Sequence, residues 1–72
     1  MRPKKRSLIL NGHNTSVSLE DLFWTELKNI AKEQQLSINQ LVATIDDSRN
    51  FEVNGLATEL REFVLKHYIN KN

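Results

Sequence analysis

The chain has 72 residues, ten of them Lys or Arg and nine Asp or Glu, for a formal net charge of +1, and it contains no cysteine. A chain this short buries only about 60% of the surface its unfolded form exposes, so it holds one domain whose core lies near the lower limit of independent stability. Disulfides and thiolate metal sites are excluded, and two isolated histidines, His13 and His67, are too few for a structural zinc site. Dimerisation is the staple that remains. No apolar run exceeds about four residues, which speaks against a membrane span or signal-peptide core and for a soluble, cytoplasmic chain.

Charge is unevenly placed. Arg2, Lys4, Lys5 and Arg6 crowd the first six residues, leaving residues 7–72 with six basic and nine acidic side chains, a net of −3. Residues 1–6 therefore read as a basic flexible arm on a mildly acidic single domain over residues 7–69. Such arms either dock on polyanions, where each neutralised phosphate releases counterions, or serve as solubilising termini.

In chain order, the first element is a hairpin. Asn11-Gly12 separates Ser7-Leu8-Ile9-Leu10 from the alternating stretch His13–Leu19, and a type I′ turn needs positive φ at both central residues. A two-residue loop pairs Leu10 with His13, Ile9 with Asn14, Leu8 with Thr15, Ser7 with Ser16 and Lys5 with Ser18. Leu8, Leu10, Thr15 and Val17 then share an inward face, while Lys5, Ser7, Asn14 and Ser16 share a polar one. Ile9 falls on the polar face, either because a partner buries it or because the register is off by one.

Three helices follow. Ser18-Leu19-Glu20-Asp21 resembles an N-cap with acids in the first turn, opening a helix from about Glu20 to Gln34. Phe23, Trp24, Leu27, Ile30 and Ala31 form its core face, with Trp24 at the edge and Leu22 off it. Ser37-Ile38-Asn39-Gln40 has capping-box spacing and starts a second helix with an Ile38, Leu41, Val42, Ile45 stripe, ending near Asp46-Asp47. Those two carboxylates oppose the helix dipole, so they lie beyond the last turn or pair with a cation such as Arg49. After a connector over residues 48–53, Asn54-Gly55 caps a third helix from about Gly55 to Tyr68, with Leu56, Leu60, Phe63, Val64 and His67 on one face. Leu65 and Ile69 point the other way, either as a contact for another subunit or as scattered surface apolars.

This order carries a resemblance. The stretch Thr15-Ser16-Val17-Ser18-Leu19-Glu20 through Phe23-Trp24, then Leu27-Lys28-Asn29-Ile30-Ala31 and Leu36-Ser37-Ile38-Asn39-Gln40-Leu41, resembles the ribbon-helix-helix family of bacterial DNA-binding proteins over roughly residues 6–68. With the hairpin before it and Leu60–Tyr68 after it, the chain is similar to a group within that family. The resemblance implies a mainly helical α+β fold: an N-terminal β-hairpin or ribbon, three helices and an obligate homodimer. It also implies a transcriptional regulator whose antiparallel ribbon enters the major groove of double-stranded DNA.

Carried over by position, Asn14 and Ser16 are outward ribbon residues, and Ser37, Ile38 and Asn39 form a phosphate-binding turn, a role that free helix N-terminal amides also favour. Ser7 on the polar face and Arg2, Lys4, Lys5 and Arg6 in the arm complete the expected DNA-binding set. Two features depart from the family pattern. A hairpin partner precedes the ribbon strand, so residues 13–18 or residues 6–10 supply the symmetric pair. The outward positions hold Asn and Ser in place of Arg, Lys or Gln, which leaves room for a protein-interaction or antitoxin-like module with a protein partner.

No catalytic set is legible. His13 reads as a turn residue, His67 as a partly buried helix residue, and Asp46, Asp47 and Glu52 as a solvated acidic end. Neither a phosphate loop nor a Ser-His-Asp set occurs. The expectation is a protein without cofactor, metal or catalysis.

Overall fold

The computed structural model describes residues 2–48 and 55–71, with the backbone alone for Ser48. Its elements are β1 (Lys4–Leu10), β2 (His13–Leu19), α1 (Asp21–Glu33), α2 (Ile38–Ser48) and α3 (Leu56–Ile69). The expected connector over residues 48–53 and the Arg49 and Glu52 readings lie outside the described residues, apart from Ser48, which ends α2.

β1 and β2 pair antiparallel in the register that the two-residue loop dictates, from Leu10 opposite His13 to Lys4 opposite Leu19. Asn11 and Gly12 have φ of 53° and 82°, the double left-handed step of a type I′ turn, which Asn tolerates and Gly adopts freely. The register is therefore not shifted, and Ile9 lies on the outward face, 55% exposed. The strand begins earlier than expected: Lys4, Lys5 and Arg6, read as part of a flexible arm, belong to β1. Thr15 takes its inward-facing place but stays exposed, although Leu8 opposite it is buried.

Leu8, Leu10, Val17 and Leu19 on the inner ribbon face meet Leu27, Ile30 and Ala31 of α1, Leu41, Val42 and Ile45 of α2, and Leu60 and Val64 of α3. This shared core orients the hairpin on the helices; each fully buried Leu or Ile contributes roughly 1.5–3 kcal/mol relative to exposure. The expected helix faces are those that are buried, with Phe23 and Trp24 packed at the margin.

Two boundaries differ from expectation. Ser18 is still in β2, and Glu20 takes the cap position of α1 with an extended backbone (φ −63°, ψ 149°) and no side-chain cap bond. Its carboxylate is drawn elsewhere: Arg61 Nε and Nη2 donate to Glu20 Oε1 and Oε2 at 2.9 and 3.1 Å, joining α3 to the start of α1. Asp46 and Asp47 lie inside the last turn of α2, where Asp47 accepts a bond from Asn11 Nδ2 at 3.3 Å across to the hairpin turn.

The link between α1 and α2 closes as a Schellman motif. Gln35 sits at φ +60°, Leu36 N–H donates to the Ala31 carbonyl at 2.8 Å, and Gln35 N–H donates to that of Lys32 at 3.1 Å. This tight reversal brings the first turn of α2 against β1.

Candidate nucleic-acid interface

Alternation along the two strands decides which ribbon residues face away from the helices. They are Lys5, Ser7 and Ile9 from β1 with Ser18, Ser16 and Asn14 opposite them on β2, and all six are exposed. Directly opposed side chains at such positions lie about 5 Å apart, so the face is a ladder of three pairs: Lys5 with Ser18, Ser7 with Ser16, and Ile9 with Asn14. Its polar members offer hydroxyl and amide groups that both donate and accept.

The N-terminus of α2 adjoins this face. Ser37 Oγ accepts the Gln40 N–H at 3.1 Å and Gln40 Oε1 accepts the Ser37 N–H at 2.8 Å, a closed capping box. Ser37 is thereby occupied as a cap, and the backbone N–H groups of Ile38 and Asn39 are the donors left at the positive end of the helix. Asn39 also reaches the ribbon, its Oδ1 accepting the Ile9 N–H at 3.2 Å. The outward ribbon face and the α2 terminus are thus tied into one surface that holds Lys5, Ser7, Asn14, Ser16, Ile38 and Asn39.

Lys4 and Arg6 are directed elsewhere. Counting back by twos from Leu10 and Leu8 puts them on the inner face, and there they meet Asp21 in the first turn of α1. Lys4 Nζ stands 3.0 Å from Asp21 Oδ2 in an exposed pair. Arg6 is largely enclosed: its guanidinium donates to Asp21 Oδ1 and twice to the Leu19 carbonyl, at 3.2 and 3.1 Å, and lies 5.5 Å from the Trp24 ring centroid. The same alternation that marked Leu8 and Leu10 as core would have shown this, had the strand been extended back through the charges. Of the expected basic set, Lys5 alone is on the outward face, and Arg2 precedes the strand.

The Arg6 guanidinium, and after it the Lys4 ammonium, hold the Asp21 carboxyl below its ordinary range, and Arg61 does the same for Glu20. A carboxylate more acidic in the folded chain adds stability above its unfolded pKa, near 4, that is lost as pH falls through the lower folded value. The urea midpoint is therefore expected to fall on acidification from about pH 5 to pH 3, and Asp21→Asn or Glu20→Gln should flatten that dependence. An unchanged slope in both variants would show that other carboxylates govern acid unfolding.

The two edges of the ribbon differ. In an antiparallel hairpin closed by a two-residue loop, Lys5, Ser7 and Ile9 aim their backbone N–H and C=O groups at the outer edge of β1, and Asn14, Ser16 and Ser18 aim theirs at the outer edge of β2. The first edge adjoins α2 and is bonded at Ile9 by Asn39. No described residue bonds the second. Beside it runs a cleft of about 500 Å³ with Leu10 and Leu56 on its floor.

The family model of the ribbon-helix-helix domain matches residues 3–68. The chain belongs to that family. No curated protein and no solved structure matches it. The match takes in β1, β2, α1 and α2 whole and α3 to its last residue but one. Among the described residues no group of three His, Asp or Glu could hold a metal ion, and no helix is long and apolar enough to cross a membrane. His67 is half-buried between the Phe63 and Tyr68 rings, with Nε2 3.8 Å from Glu33.

Proposed function

We propose that the chain is a dimeric DNA-binding protein, a cytoplasmic transcriptional regulator that recognises duplex DNA and catalyses no reaction. The observation that carries this reading is the joined surface: a two-stranded ribbon with an exposed, mostly polar outer face, bonded through Asn39 to a helix N-terminus with two unused amides.

The edge of β2, which no described residue bonds, supports a dimer in which β2 pairs antiparallel with its counterpart. With strands about 4.8 Å apart, β2 then lies about 2.4 Å from the two-fold axis and β1 about 7 Å from it. The major groove is about 12 Å wide, so the central strands sit over base edges, β1 sits at the groove margin, and α2 beyond it reaches the phosphates. Asn14, whose amide suits the N6 and N7 edge of adenine, is placed to read bases; Lys5, Ile38 and Asn39 serve the backbone.

Gel retardation of mixed duplexes over a range of salt tests the reading. Retention is expected at low salt, with log K falling by about 0.9 per phosphate contact against log salt. Lys5→Ala should shallow that slope by about one unit per subunit on every sequence, whereas Asn14→Ala should change sequence preference. A dimer that retains no duplex at low salt would sink the proposal.

A second reading has an observation of its own. Leu22, Leu65 and Ile69, each about 60% exposed, lie on the helical side of the molecule, away from the ribbon face, and suit a protein-interaction or antitoxin-like role on the same scaffold.

A further inference from the structure

Ile9 is the one apolar member of the outward ribbon ladder, and it stands exposed among polar residues. Asn14 opposes it across the ribbon, Ser7 is its neighbour on the same face, and Asn39 bonds its backbone N–H. An isoleucine held open to water at 55% is one that folding has not used. The Asn39 bond fixes it at the margin of the ribbon, on the side of the α2 N-terminus.

Resting on the DNA-binding reading, we propose that Ile9 is a specificity-determining residue that packs against the 5-methyl group of thymine. The major groove offers one apolar group per A·T pair, that methyl, and it lies towards the groove wall on the side of its own strand's backbone. A side chain on β1, about 7 Å from the two-fold axis, faces that wall while Asn14 on β2 faces the groove floor. The pair Ile9 and Asn14 therefore combines a methyl contact with an amide suited to adenine, and it directs each half of the dimer to A·T-containing steps. The contact comes from β1, so that strand contributes to recognition as well as to packing.

The experiment begins with duplexes selected from random DNA by the full-length protein. Each thymine in a selected duplex is then replaced by deoxyuridine, which removes the methyl and keeps the hydrogen-bonding edge. One symmetric pair of thymines is expected to be sensitive, with affinity falling roughly fourfold for each half-site and roughly fifteenfold for both, the effect of one buried methyl per contact. Ile9→Ala should bind thymine and deoxyuridine duplexes alike at that pair, while Ile9→Val, which keeps a branched apolar surface, should retain most of the difference. Uniform insensitivity of the wild type, or an I9A protein that still discriminates, would overturn the assignment and leave DNA binding intact. Dissociation of the dimer in I9A with unchanged thymine discrimination would overturn it too, making Ile9 a subunit contact. Failure of the protein to select any duplex would overturn both this inference and the function on which it rests.

Discussion

Replacing Ser16 with proline is expected to convert the proposed dimer into monomers and to abolish retention of duplex DNA. Ser16 stands opposite Ser7 at a position whose backbone groups point away from β1, so the substitution removes no bond of the hairpin itself. Proline is tolerated on an edge strand when its missing N–H would face solvent. It is not tolerated where a second strand must add to that edge. Each copy loses one ladder donor and meets a ring in its place, which corresponds to a rise in the dimer dissociation constant on the order of 100-fold. Light scattering across a concentration series reads the effect, with circular dichroism to confirm that the hairpin and helices persist. Ser7→Pro is the control, because it blocks the edge of β1 that adjoins α2 and should leave the dimer whole. An S16P protein that remains dimeric, or an S7P protein that dissociates equally, would place the subunit seam somewhere other than β2.

The second large effect concerns Arg6. Its guanidinium satisfies the Leu19 carbonyl at the end of β2, an Asp21 oxygen in the first turn of α1, and the face of Trp24, with its side chain only 15% exposed. Arg6→Ala leaves a carbonyl and a carboxylate short of partners and opens a gap beside the indole, and a loss of about 2–4 kcal/mol is expected from such a truncation. In a domain this small that is much of the total stability. Lys4 addresses the same aspartate from an exposed position, and Lys4→Ala is expected to change stability by less than about 1 kcal/mol. Arg6→Lys should recover little, since one ammonium cannot reproduce the planar fork that spans Leu19 and Asp21. Urea midpoints of the three variants give the comparison; equal losses in R6A and K4A would mean that net charge, and not the enclosed geometry, sets the effect. Because Arg6 anchors the base of the ribbon, its loss should also weaken any binding that needs the ribbon held at a fixed angle to α2.

Much of the interface was readable before folding was considered. Asn11-Gly12 fixes the loop at two residues, the loop fixes the register, and the register places Ser7, Asn14 and Ser16 together on one face. Ser37 and Gln40 announced the start of α2 because a capping box is a local exchange of two hydrogen bonds that depends on spacing alone. The basic residues were misread for a related reason. Lys4, Lys5 and Arg6 look like an arm when charge is counted, yet strand alternation sends the first and third inward to Asp21 and leaves the second outside. The cap of α1 was misassigned because Ser18 is a better cap residue than Glu20, but Ser18 is committed to the ladder opposite Lys5 and Arg61 claims the Glu20 carboxylate.

The hairpin and its register, and the core faces of three helices, follow from sequence. They do so because loop length, side-chain alternation and helical periodicity are short-range properties of the chain. Which edge of the ribbon meets α2 is decided only in three dimensions. Asn39 is 30 residues from Ile9 and meets it because the Gln35 reversal folds α2 back onto β1. With the β1 edge bonded at Ile9 and no described residue bonding the edge of β2, the proposed subunit seam falls on β2. The same packing leaves Ile9, an isoleucine that looked like an error of pattern, exposed on the face proposed to meet DNA.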